Sequence, residues 1–150
     1  MSYEARLSAL GYVIEPVALD AGRLVHAVRS GNLVFTSGQV SRWGDDEIRG
    51  QLGAELTVEQ GYAAARMSAL NCLRAVKAIT GSLDAVRRIV KVLGMVNVAP
   101  GFVDTPGVIH GCSDLLIEVF GDAGRHARSA VGMTLPLNYA VEIEMIVEVA

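Results

Sequence analysis

Apolar residues recur at three- and four-residue steps between Val58 and about Thr80: Val58, Tyr62, Ala65, Ala69, Leu73 and Val76 form one stripe. That period belongs to a helix with one buried face. Thr57 followed by Gln60 makes a capping-box pair for its orphan amide groups, and Gly81 supplies the stop. A second helix is expected from about Pro106 to Phe120, with Thr105 as cap, Pro106 in the first turn and Gly121 at the end. Residues 3–10 read as a short helix between a Ser2 cap and Gly11. Leu24–Arg29 and Leu33–Thr36 are β-rich runs around Ser30-Gly31-Asn32, which signals a hairpin. Val86 to Val98 reads as a long strand. Ala127–Thr134 and Val141–Val149 read as a closing hairpin pair around Leu135-Pro136-Leu137-Asn138. Residues 12–22, punctuated by Pro16, and the polar stretch around Trp43-Gly44-Asp45-Asp46 read as irregular.

The order hairpin, helix, strand, helix, strand pair predicts an α+β domain over residues 1–150: a mixed β-sheet with two main helices packed on one face. Strand 86–98 is apolar at both parities, with Val90, Val92 and Val96 on one face and Ile89, Leu93 and Met95 on the other. A strand apolar on both faces is buried on both. The chain has no element left for the second face, so another copy of the protein is expected to cover it.

Charge changes the picture little. The 150 residues carry 13 basic and 16 acidic side chains, a net charge of −3, which argues against a dedicated nucleic-acid binder. No apolar run approaches the ~20 residues of a membrane span, and the opening MSYEARLSALGYVIEP is not a secretory signal, so a cytoplasmic address is the default expectation. Cys72 and Cys112 fall in apolar helical patterns and read as buried free thiols. His110 and Cys112 lie two apart on a helix and do not face each other, so no metal site is expected. Arg87-Arg88 reads as a solvated strand start.

Candidate chemistry gathers near the end of the chain. Alternation puts Arg128, Ala130 and Gly132 on one face of their strand. Small neighbours leave space beside the guanidinium, whose fork matches a carboxylate in a bidentate pair. His126, two residues earlier, would deepen the positive site. The other reading of Arg128 is a plain ion pair with Glu142 or Glu144 across the hairpin. Those two glutamates share the face of strand 141–149 opposite its core side, which is Val141, Ile143, Met145, Val147 and Val149. Ser37 and Gly38 end an earlier strand, and Gly38 allows close approach of a ligand or another backbone. Ser37 alone also reads as an ordinary strand-end turn residue.

The runs NLVFTSGQV (32–40), KAITGSLDAVRRIVKV (77–92) and ARSAV…LPLNYAVEIE (127–144) resemble the RidA/YjgF family, also called the L-PSP endoribonuclease or enamine/imine deaminase family. The resemblance covers about residues 22–149. The helical opening before it, residues 1–21, is an N-terminal extension that resembles a longer subgroup of about the size of this 150-residue chain. The resemblance implies a chorismate-mutase-like fold and a homotrimer with sites between subunits. It implies hydrolysis of reactive enamines and imines such as 2-aminoacrylate to 2-keto acids and ammonia, without metal or cofactor. Arg128 matches the family's carboxylate-binding arginine, Glu142 its acid near the attacking water, and Ser37 its serine before Gly-Gln. The chain departs from the deaminase branch at Leu24, where that branch has tyrosine, at Ala130, where it has cysteine, and at His126, where it has proline. Ala130 keeps its backbone contacts for a ligand. Two further readings stand beside the enzyme: a binding or regulatory protein for small carboxylates, and the ribonuclease of the family's older name.

Overall fold

The computed structural model describes all of residues 1–150. Helix α1 (Tyr3–Ala9) is followed by an extended arm and strands β1 (Ala27–Ser30), β2 (Leu33–Thr36) and β3 (Gln39–Val40). A small hairpin of β4 (Arg42–Trp43) and β5 (Asp46–Glu47) precedes helix α2 (Val58–Thr80). Strand β6 (Val86–Asn97), helix α3 (Thr105–Phe120), strand β7 (Ala127–Met133) and strand β8 (Val141–Val149) complete the chain. The main sheet runs β1-β2-β8-β6-β7, with β3 pairing to β8 beyond β2. The β6–β7 ladder is parallel and the others are antiparallel, so the sheet is mixed.

The long helix forms as its pattern predicts. Thr57 accepts from the Gln60 amide while the Gln60 side chain accepts from the Thr57 amide, and Gly81 closes the helix at φ 79°. The start of α3 differs from expectation. Asp104, not Thr105, is the cap, its carboxylate accepting from the Gly107 amide at 3.0 Å. Thr105 instead donates to the Ala130 carbonyl at 3.0 Å, tying the helix start to β7. Gly111 lets α3 approach α2, because a Cβ there would run into the Tyr62 carbonyl. The region around Trp43 is not irregular: it turns through Gly44 at φ 61° and pairs Arg42 with Glu47. The first sheet strand begins only at Ala27, Val25 before it joining Asp20 in an isolated bridge.

Helices α2 and α3 cover one face of the sheet, and the core lies between, with Leu70, Leu73, Leu115, Leu116, Ile143 and Val147 fully or nearly fully buried. Helix α1 and the arm join this core through Leu7 and Ile14 respectively, and Tyr3 of α1 packs edge-on against Phe120 with ring centroids 4.7 Å apart. Strand β6 is apolar on two faces, but not by simple alternation. Ile89 pairs with Val147 and Lys91 with Ile146, so β6 has one residue more than β8 across that step. This bulge shifts the parity. Ile89 therefore shares the helix-covered face with Val92 and Val96, while Leu93 and Met95 face away and Val90 is half-buried. On that far face Phe35, Val131 and Met133 remain exposed, and no element of this chain covers them.

The predicted hairpin of the last two strands does not form. β7 lies at the sheet edge beside β6, in parallel, as the return of a strand–helix–strand crossover through α3. β8 instead inserts between β2 and β6. A parallel partner reached through a helix buries both strands against that helix, which a terminal two-strand ribbon cannot do.

Candidate functional site

Arg128 sits on β7 opposite Val92 of β6, on the helix-covered face. Its side chain meets two residues that lie on one face of α3. Nη1 donates to His110 Nδ1 at 3.0 Å and to Ser113 Oγ at 3.2 Å. Positions i and i+3 of a helix are neighbours, which is why a single guanidinium nitrogen reaches both. The ion pairs in the molecule are Arg49–Glu47, Arg66–Glu118 and Lys77–Glu4, so Arg128 has no carboxylate partner. With Nη1 held by two neutral acceptors, the Nε–Nη2 edge keeps its donors for a ligand. That edge has the bidentate spacing a carboxylate requires.

His126 completes the cluster. Its Nδ1 lies 2.6 Å from the Gly124 carbonyl, which can only accept, so Nδ1 carries the proton. Nε2 then accepts from the Ser113 hydroxyl at 2.9 Å. A chain runs from Arg128 through Ser113 to a neutral His126. Burial pushes the His126 pKa down, and the nearby Arg128 charge pushes it the same way against the Gly124 hydrogen bond. His126 therefore orients Ser113 and adds no second positive charge, contrary to expectation. Ala130, two residues beyond Arg128, has its carbonyl engaged by the Thr105 hydroxyl at 3.0 Å.

The other predicted residues gather elsewhere. Glu142 pairs with Met95 and Val40 and points to the uncovered face with Glu144 and Glu148. Its carboxylate lies over Gly38, where any Cβ would collide with it. Burial raises the Glu142 pKa, and Glu144 on the same face raises it further. Ser37 donates to the Val25 carbonyl at 2.6 Å, which leaves its oxygen lone pairs as acceptors. Leu24 is half exposed and brings no polar group.

Arg128 and Glu142 do not meet. They lie on opposite faces, and β6 separates their strands, an offset of roughly 10 Å across two ladders. The ion pair with Glu142 or Glu144 is thus absent. One chain presents two separate clusters: Arg128, Ser113, His110 and His126 at the β7 edge, and Ser37, Gly38 and Glu142 where β3 meets β8.

His110 and Ser113 were missed from sequence. The signal for them is the crossover itself: a strand–helix–strand unit with a parallel return brings the helix face carrying residues 110 and 113 onto β7. Both thiols are buried and free, and burial pushes Cys72 up to about 12 and Cys112 well above its ordinary value. No group of three His, Cys, Asp or Glu side chains comes together, and no helix is long and apolar enough to cross a membrane.

Fold and cluster together define an α+β protein with an unpaired arginine on a parallel edge strand. The chain belongs to the YjgF/RidA family: the model described as "YjgF/chorismate_mutase-like, putative endoribonuclease" matches residues 4–149. Protein TCP17 of Trypanosoma cruzi is 43% identical over 149 residues, covering 96% of this chain and 92% of that one. The crystal structure of Atu1372 from Agrobacterium tumefaciens is 40% identical with TM-score 0.89, covering 99% of this chain and 92% of that one. A "putative endoribonuclease" from Shewanella oneidensis is 34% identical with TM-score 0.92, covering 99% of this chain and all 100% of its own. The fold alone is shared with TdcF of Escherichia coli, solved with bound serine, at 22% identity and TM-score 0.59, over 91% of this chain and 94% of that one.

Proposed function

We propose that the protein is a hydrolytic deaminase of reactive enamines and imines of the 2-aminoacrylate type, releasing a 2-keto acid and ammonia. The observation that carries this reading is Arg128: its Nη1 is fixed by His110 and Ser113, its outer edge is free, and no carboxylate neutralises it. Such an arginine suits the carboxylate of a small acid. TdcF, with its bound serine, is a distant relative whose ligand is of that kind.

The two half-sites form one site when a second copy supplies the missing half. A homotrimer, stacked through the uncovered apolar sheet face, brings the Arg128 edge of one copy toward Glu142 of the next. The apolar residues left open on that face support this assembly.

The chemistry needs no metal or cofactor. The enamine first tautomerises to the imine. Water attacks the imine carbon and gives its proton to Glu142, which returns it to nitrogen. The resulting carbinolamine collapses: the C–N bond breaks, ammonia leaves with a proton from the hydroxyl, and C=O forms. A carboxyl with a raised pKa suits both halves of this transfer, because it accepts and releases a proton nearer neutral pH. Ser37 can accept from the substrate N–H, and Gly38 leaves room for Glu142. Positioning water against an already reactive carbon supplies much of the acceleration.

The test is 2-keto acid formation from a freshly generated imino acid. Wild-type protein should exceed the rate in free solution, and Arg128→Ala should cut the excess by about thirtyfold at limiting substrate. No acceleration by the wild type sinks the enzyme reading. A binding or regulatory role without turnover has one observation in its favour: Leu24 and Ala130 stand where the deaminase branch has polar side chains. Calorimetry with 2-oxobutyrate beside the activity assay separates the two, since binding without hydrolysis selects the regulatory role. Ribonuclease activity would need RNA binding with steep salt dependence, lost on removing Arg125 or Arg128.

A further inference from the structure

A polar cavity of about 380 Å³ opens between β3 and α2, away from the Arg128 cluster. The N-terminal arm walls it at Val17, Arg42, Asn71 and Arg74 line it with His26 and strand β3, and Gly38 forms part of its wall toward Glu142. No carboxylate lines it, and neither arginine takes part in an ion pair. Arg74 Nε donates to the Glu15 carbonyl at 2.9 Å. That bond pins the guanidinium to the arm and leaves its two terminal nitrogens without a protein partner. Arg42 faces Glu47 across the β4–β5 ladder, yet the Glu47 carboxylate is taken by Arg49 and by the Tyr139 hydroxyl. Asn71 donates to the Arg42 carbonyl, which ties α2 to β4 at the cavity wall. His26 Nδ1 accepts from Gln39 Nε2 at 3.2 Å, so the neutral ring carries its proton on Nε2 and offers one more donor.

Two guanidiniums without an ion-pair partner in one concave site concentrate positive potential there. The fork of each presents paired donors to oxygen anions. We propose that this cavity, which shares only Gly38 with the deaminase residues, is a second ligand site, and that it takes a small doubly charged oxyanion: a phosphate compound or a dicarboxylate. The volume falls within the usual range for small-ligand sites. Because the arm supplies one wall and pins Arg74, the site depends on the N-terminal segment, which the Arg128 cluster does not touch.

Trp43 is the chain's single tryptophan, follows Arg42 directly, and shares an adjoining hollow with Arg74. Its fluorescence should report occupancy. Folded wild-type protein is titrated with pyrophosphate and, separately, with succinate, by Trp43 fluorescence and by calorimetry. Saturable binding of at least one is expected; pyrophosphate alone assigns a phosphate ligand and succinate alone a dicarboxylate. Arg42→Ala and Arg74→Ala should each weaken it by about tenfold or more, the usual loss for one charge-assisted contact. Arg128→Ala should leave it unchanged. Arg42 is exposed, so its variant stays informative if Arg74→Ala fails to fold. Absence of saturable binding by both compounds overturns the proposal. So does undiminished binding in the Arg42→Ala protein, or loss of binding in Arg128→Ala, which would assign the ligand to the other site.

Discussion

At the β7 edge a cation is held by neutral groups: Arg128 rests on His110 and Ser113, and Ser113 on an uncharged His126. Near β3 an acid is held by backbone shape: Glu142 lies over Gly38, half-buried, with another acid beside it and no basic partner. Burial works against the charged form in both places. It drives His126 toward neutrality and Glu142 toward its protonated form. The cation is fixed by two hydrogen bonds from one guanidinium nitrogen, while the acid sits where burial favours its protonated form. Under the proposed function this difference becomes a division of labour, with binding at one edge and proton transfer at the other, and it makes each half testable alone.

The largest expected effect comes from Glu142→Gln. Removing a general acid–base group should lower turnover by about 10²- to 10⁴-fold. Affinity for 2-oxobutyrate, measured by calorimetry, should hardly change; an equal loss of binding would erase the division. Arg128→Ala should do the reverse to binding. Losing the anchor should weaken 2-oxobutyrate binding by about 2 kcal/mol or more, close to thirtyfold. Affinity within about twofold of wild type would refute Arg128 as anchor.

Gly38→Ala comes next. Its Cβ must displace the Glu142 carboxylate, and forced repacking of this kind costs about 1–3 kcal/mol. Chemical denaturation should show that loss, and in the Glu142→Ala background it should shrink, because the colliding atoms are gone. The smallest effect is on pH dependence. His126 has a depressed pKa in the folded state, so its contribution to stability is present above its ordinary value of about 6.5 and is lost as pH falls through the folded pKa. Glu142 has a raised pKa, so its contribution is present below its ordinary value and is lost as pH rises through the folded pKa. Melting temperature against pH should flatten on the acid side in His126→Gln. In Glu142→Gln the flattening should appear above the ordinary carboxylate range instead.

Local signals carried most of the elements. The capping box of α2, the glycine stops and the alternation of β8 each act within a few residues, so the sequence displays them directly. Pairing partners were harder. Nothing local distinguishes a β7–β8 hairpin from a β7 that returns to β6, because the choice depends on where α3 buries its apolar face. The same limit hid the bulge near Ile89, since an extra residue in a ladder leaves hydrophobicity intact and changes only parity. At the site, the small neighbours of Arg128 showed room beside it but left a plain ion pair with Glu142 or Glu144 open, and only the family resemblance singled it out as a ligand anchor. The partners of that arginine were not legible, because His110 and Ser113 reach it only through the crossover. His126 was legible as a neighbour but misjudged in charge, since its protonation follows from burial and from the Gly124 carbonyl.

The place of β8 has a consequence for how the chain is made. β8 pairs with β2, β3 and β6, and all three precede it in sequence. A ribosome therefore delivers both flanks of the sheet before the strand that joins them. Until β8 emerges, β2 and β6 present open edges of the kind that invite mispairing. Folding of the sheet is in this sense post-dated to the synthesis of residues 141–149. A translational pause just before Val141 should prolong a chaperone-dependent state.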